Sequence, residues 1–158
     1  MKMLMLILLS LFTVTVSAEE EVSVSLQING VSWHSRSKPN GEDYNAANSG
    51  LGVQFSKFAL GNKDIVLSAT VGTMINSMED RSWYAGGIVA RRWSGESWHL
   101  DTGIFLGVLT YPSYEQGWLI IPAPILSFGT KHLGVNITGI LPVDNIPAAV
   151  FIQPYITF

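Results

Sequence analysis

Apolar and polar residues alternate with a period of two through segment after segment of this chain, a rhythm that belongs to strands with two chemically different faces and not to helices, whose repeat is 3.6. Val22, Val24, Leu26 and Ile28 alternate with Ser23, Ser25, Gln27 and Asn29. Val135, Ile137, Gly139 and Leu141 alternate with Gly134, Asn136, Thr138 and Ile140, and Val150, Ile152 and Ile156 oppose Gln153 and Thr157. Turn residues divide the chain into eight such segments, at 22–34, 49–58, 64–75, 82–93, 98–110, 118–128, 132–141 and 148–158. Each is about as long as a tilted, membrane-crossing strand must be.

The connections alternate in size. Those at 35–48, 76–81, 111–117 and 142–147 are long or medium, whereas Gly61-Asn62-Lys63, Ser94-Gly95-Glu96 and Gly129-Thr130-Lys131 are tight turns. Outer-membrane barrels show this asymmetry, with short periplasmic turns and longer loops outside, so both chain ends are expected in the periplasm.

The N-terminal segment fits an export signal. Lys2 precedes an apolar run from Leu4 to Val16 that is short for a membrane anchor, and Val16-Ser17-Ala18 closes it as a small-residue cleavage site. Residues 1–18 are therefore expected to be a signal peptide and 19–158 a single barrel domain. Lys2 is the one charge in that leader, so cleavage makes the formal charge one unit more negative than the −3 of the full chain. An acidic chain offers no basic face for nucleic acid.

Without cysteine, an exported domain this small is held by its core, by closure of a sheet or by lipid. Charged residues make up 13% of the sequence and hydrophobic ones 47%, against about 25% charged in ordinary soluble domains. No apolar run after the leader reaches the ~20 residues of a spanning helix. The expected fold is an all-β, eight-stranded antiparallel transmembrane barrel, the other structure that satisfies every backbone group in lipid. Trp83, Trp93, Trp98, Tyr111, Tyr114 and Trp118 fall near strand ends, where interfacial aromatics belong. The chain ends in Phe158, which resembles the terminal signature read by the outer-membrane assembly machinery.

Several segments resemble the lipid A palmitoyltransferase family (PagP-like barrels). Val31-Ser32-Trp33-His34-Ser35-Arg36 resembles the segment that holds that family's essential histidine. Tyr44-Asn45 and Gly50-Leu51-Gly52-Val53 resemble the loop and strand that follow it. Ile121-Pro122-Ala123-Pro124-Ile125-Leu126 and Ile140-Leu141-Pro142 resemble its proline-bearing strands. The resemblance implies transfer of a phospholipid acyl chain to lipid A, without metal or cofactor, by a barrel expected to be a monomer. Two features depart from the family. Asn76-Ser77 stands where it has an Asp-Ser pair, and no room remains before the first strand for its amphipathic helix.

On this reading His34 is a general base, Ser77 its polar partner or nucleophile, and Asn76 a neighbour that orients the imidazole without charge. Glu42, Asp43, Glu79 and Asp80 lie in the same outer loops as possible replacements for the missing carboxylate. Pro122, Pro124 and Pro142 cannot donate to a ladder, so they either open a lateral window for a lipid tail or merely end strands. Gly86, which matches the family position setting pocket depth, together with Gly87, Gly103 and Gly107, either leaves lumen space for an acyl chain or marks strand bends. Tyr44 is placed at the substrate. His99 and His132 fall near periplasmic turns and read as structural. Two alternatives use the same fold: a non-enzymatic barrel that alters the cell surface by resistance, adhesion or exclusion, and a hydrolase of lipid acyl esters.

Overall fold

The structure, a computed structural model, describes residues 22–38, 40–59, 62–113, 115–142 and 147–158. The proposed leader and Tyr114 lie outside them. The described chain folds into strands β1 (Ser23–His34), β2 (Ala47–Ala59), β3 (Asn62–Ile75), β4 (Arg81–Ser94), β5 (His99–Thr110), β6 (Trp118–Gly129), β7 (Leu133–Ile140) and β8 (Ala149–Thr157). Every strand pairs antiparallel with its neighbour in sequence, and β1 pairs with β8, which closes the barrel. The boundaries match those read from alternation to within about two residues at most ends.

The faces are those of a water-soluble barrel turned inside out. Ser25, Gln27, Asn29, Ser68, Thr70 and Asn136 are buried in the lumen, while Leu51, Val71, Val89, Ile104, Leu106 and Ile120 project outward and are at least half exposed. Such a surface is stable only in lipid. Trp33, Trp83 and Trp118 ring the end that carries the longer loops, and Trp93 and Trp98 the end that carries the chain termini. Arg91 lies 5.3 Å over the Trp93 ring, pairing a cation with an aromatic at the level expected of lipid headgroups.

Halfway down, side chains span the lumen. Gln27 donates to Gln54 Oε1 (2.8 Å) and accepts from Thr70 (2.7 Å), and the Tyr84 hydroxyl lies 3.3 Å from Gln27 Oε1 and 3.2 Å from Asn29 Oδ1. Gln153 Nε2 reaches both Asn29 and Tyr84, and Asn136 joins Gln54 to Gln153. In a low-dielectric interior each group in such a layer depends on the others for its partners, so the layer is rigid or it is costly.

One irregularity determines which way His34 points. Along β1 the inward residues are Ser25, Gln27 and Asn29, but above Gly30 they are Ser32 and His34, because the register against both β2 and β8 shifts ahead of Val31. An unbroken period of two would turn Val31 and Trp33 inward and His34 toward lipid. Glycine is required here for space: a Cβ on residue 30 would lie 2.6 Å from the Ile152 carbonyl oxygen.

Candidate functional site

With its phase reset, β1 delivers His34 to the outer mouth of the lumen. The turn between β3 and β4 delivers Ser77, and His34 Nε2 and Ser77 Oγ lie 2.8 Å apart. Tyr44 stacks on the imidazole at 4.7 Å with a 28° interplanar angle, and Phe151 of β8 meets it edge-on at 6.4 Å. Asn45 stitches this corner together. Its backbone N–H donates to Ser77 O, and its Nδ2 donates to the carbonyls of Ala47 and Asn76. The Tyr44-Asn45 pair thus clamps the long loop to the serine turn while its aromatic member covers the histidine.

Asn76 has a different role from the one expected of it. Its Oδ1 accepts from the N–H groups of Met78 (2.8 Å) and Asp80 (3.0 Å), and its Nδ2 donates to Ser82 Oγ (2.9 Å). This is a side chain mimicking backbone to close a turn, which also holds Glu79 at a φ of 70°. Asn76 positions Ser77 through the main chain and makes no bond to the imidazole. The loop acids do not replace it. Glu42 pairs with Lys38 and Asn40, Asp43 accepts from Ser37, and Asp80 is bonded to Ser113. Among the described residues no carboxylate is bonded to His34.

Beneath the pair lies a cavity of about 230 Å³, lined by His34, Ser77, Tyr44 and Tyr111 at its mouth and otherwise chiefly by apolar side chains. A second space of about 100 Å³ continues below it, sharing Met74, Leu109, Ile121, Ile140 and Phe151, and ends at the polar layer of Gln27, Tyr84 and Gln153. The result is a short apolar shaft closed at its foot. Tyr111, expected in the interfacial girdle, instead faces this mouth. Burial there, with Tyr44 and Asp80 nearby, pushes its phenol up to about 12, so it is a neutral hydrogen-bond donor at physiological pH.

The barrel wall beside the shaft is uneven. β5 and β6 pair over twelve residues, including both Pro122 and Pro124, whereas β6 and β7 pair over five, from Ile125–Thr138 to Gly129–Gly134. The two prolines stand at the same phase of the strand, so their missing N–H groups address the same neighbour, β7. Above Ile125 that seam carries no ladder, and a Cβ added at Gly139 would meet the Pro124 ring at 3.5 Å. Ile120 and Pro122 on one side of the seam and Ile140 and Leu141 on the other line the upper cavity. Pro142, in contrast, lies beyond the end of β7 and contributes no gap to a paired strand.

The glycines expected to open the lumen do not leave it empty. Phe105 turns inward and occupies the notch above Gly86 and Gly107, where an added Cβ would meet its ring at 2.4 and 2.2 Å. Gly103 abuts Ala90, and Gly87 faces outward. Space in the lumen lies beside Phe105, under the His34 mouth. Phe151, Tyr111 and Pro147 also line that space; for Phe151 the sequence carries a signal, since its strand sets Val150 and Ile152 outward.

At the other mouth His99 Nε2 bonds the Tyr155 hydroxyl (3.0 Å), which also meets Ser127 (3.1 Å), and Arg92 grips Asp101 with two bonds of 2.7 Å. His132 Nδ1 lies 3.3 Å from the Thr157 carbonyl. These contacts tie strands together around a polar mouth of about 360 Å³.

No protein-family model matches the chain, and no curated protein does. Among solved structures the chain is similar to the Yersinia pestis outer membrane protein Ail, determined in a phospholipid bilayer nanodisc, at 12% identity over 87% of this chain and 100% of that one, with a TM-score of 0.45. At that level the likeness carries no argument about function, and the fold rests on this chain's own closed ladder of eight antiparallel strands.

Proposed function

We propose that this protein is an outer-membrane barrel that binds a lipid acyl chain and carries out acyl-ester chemistry at its outer rim. The observation that carries the reading is the 2.8 Å His34–Ser77 contact at the mouth of an apolar shaft, beside an unladdered seam between β6 and β7. The outward apolar belt supports the outer-membrane location, and the exposed terminal Phe158 fits delivery by the assembly machinery. On this reading a phospholipid tail passes sideways between Pro122 and Leu141 into the shaft. His34 Nε2 takes the Ser77 proton as Oγ attacks the ester carbonyl, and the proton then goes to the departing alcohol. The Tyr111 hydroxyl is a donor for the developing oxyanion. Attack on the acyl-serine by a lipid A hydroxyl makes the reaction a palmitoyltransferase-like transfer; attack by water makes it hydrolysis.

Mass spectrometry of lipid A and phospholipids from cells expressing wild type, His34→Ala and Ser77→Ala tests this. A mass shift present only in wild type is expected. Identical profiles with all three barrels folded would refute it. Two features favour a second reading, a non-enzymatic surface barrel: no described carboxylate is bonded to His34, and side chains fill the middle of the lumen. That reading predicts unchanged lipids and a phenotype that follows the outer loops.

A further inference from the structure

Among the described residues, the shaft contains one fully buried side-chain polar atom with no partner. Asn48 lies on the inward face of β2 and is 2% exposed, and its Nδ2 donates to the Ile75 carbonyl at 3.0 Å. That bond fixes which end of the amide is which, because a carbonyl accepts only from the NH₂ group. Asn48 Oδ1 is then a buried acceptor that bonds to nothing among the described residues, on the wall of the lower part of the shaft. Leaving such an acceptor unmet is expensive, and native interiors seldom do so without a reason.

We infer that the shaft takes a fatty acyl chain bearing a hydroxyl group near its ester end, with that hydroxyl donating to Asn48 Oδ1. The inference rests on the acyl-site reading above and names its substrate class. Met74, Leu109, Ile121, Ile140 and Phe151 suit methylenes and exclude a charged donor, while the polar groups at the foot of the shaft already bond one another. A buried water needs two to four polar partners, more than Asn48 Oδ1 alone supplies, whereas a hydroxyl tethered to a chain held by apolar walls needs only one. The position also fits. The carbonyl that anchors Asn48 belongs to Ile75, the last residue of β3 and two before Ser77, so the acceptor lies near the site of ester attack. That nearness places the hydroxyl toward the ester end of the chain.

The test uses the refolded mature barrel in nonionic detergent, titrated with tetradecanoic acid, 3-hydroxytetradecanoic acid and the methyl ester of the latter, with the Asn48 side-chain amide followed by two-dimensional NMR. The hydroxylated chain should bind about 5- to 10-fold tighter than the plain one and move the Asn48 resonance. In Asn48→Leu the preference should vanish while the plain chain still binds; Asn48→Asp, which keeps an acceptor, should retain it. If the leucine variant does not fold, the wild-type comparison decides alone. Preference for the ester over the free acid identifies a lipid-borne chain, and the reverse a free hydroxy acid; either supports the inference. Equal binding of plain and hydroxylated chains overturns it and leaves the acyl-site reading standing, whereas no binding of any chain overturns both.

Discussion

His34 and His99 stand at opposite mouths of the same barrel, each with Nε2 against a hydroxyl at 2.8 and 3.0 Å. Their surroundings separate them. The partner of His99 is a tyrosine that also meets Ser127, next to the Arg92–Asp101 pair, so these five side chains are engaged with one another. The partner of His34 is a serine over an apolar cavity, beside the one seam whose ladder is shortened to five pairs. A histidine–hydroxyl contact is thus a cross-link where the hydroxyl is shared with further side chains in a polar mouth, and a candidate reactive pair where the hydroxyl meets the histidine alone over an apolar cavity.

The largest effect expected from breaking this comparison is on chemistry. His34→Ala should cut any lipid-modifying rate by about 10²- to 10⁴-fold, the usual worth of a general base, with heat-modifiable migration on detergent gels preserved. His99→Ala should do the opposite, leaving lipid profiles unchanged and lowering the temperature at which the folded band disappears. A loss of activity in both variants with full folding would erase the distinction.

Next in size is Asp101→Ala, which leaves the Arg92 guanidinium in the lower lumen without its carboxylate. Full burial would make this cost about 3–5 kcal/mol; with Arg92 one quarter exposed, about 2–3 kcal/mol is expected, read as a lower urea midpoint of refolding into bilayers. Gly30→Val follows, at about 1–3 kcal/mol, since its Cβ must displace the Ile152 carbonyl. This variant also disturbs the phase reset, so it should lower activity more than its stability loss explains.

Smaller still, replacing Pro122 and Pro124 together by valine restores two donors on the β7 side. Stability should rise by under about 1 kcal/mol while incorporation of exogenous lipid tails slows. An unchanged rate would separate the seam from substrate access. The smallest effect is the titration of Tyr111. Its phenol is pushed up to about 12, so the folded state holds that proton above the ~10 of an unfolded tyrosine. The stability it contributes is complete below pH ~10 and falls as pH rises toward 12, a slope that Tyr111→Phe should remove.

Much of the molecule was legible in the residues. Eight alternating segments, with short and long connections in turn, specify strand number, order and which chain ends share a side, because the two-residue period of a strand is local and lipid demands closure. The same alternation placed Gln27, Asn29 and Asn136 in the lumen and Leu26 and Ile28 outside it. Within the site, strand order placed His34 and Ser77 at the same end of the barrel.

What tertiary structure decided lies wherever one residue's meaning depends on a distant partner. The slip at Gly30 that turns His34 inward depends on β8 backbone more than a hundred residues away, and nothing in the run Asn29-Gly30-Val31 announces it. Asn76 could orient an imidazole or close a turn with the same atoms; the amides of Met78 and Asp80 claimed it. Gly86 leaves room, but Phe105 takes that room from the next strand. A strand's period is a property of its own chain, whereas the contents of a lumen are settled by side chains from all eight strands competing for one volume.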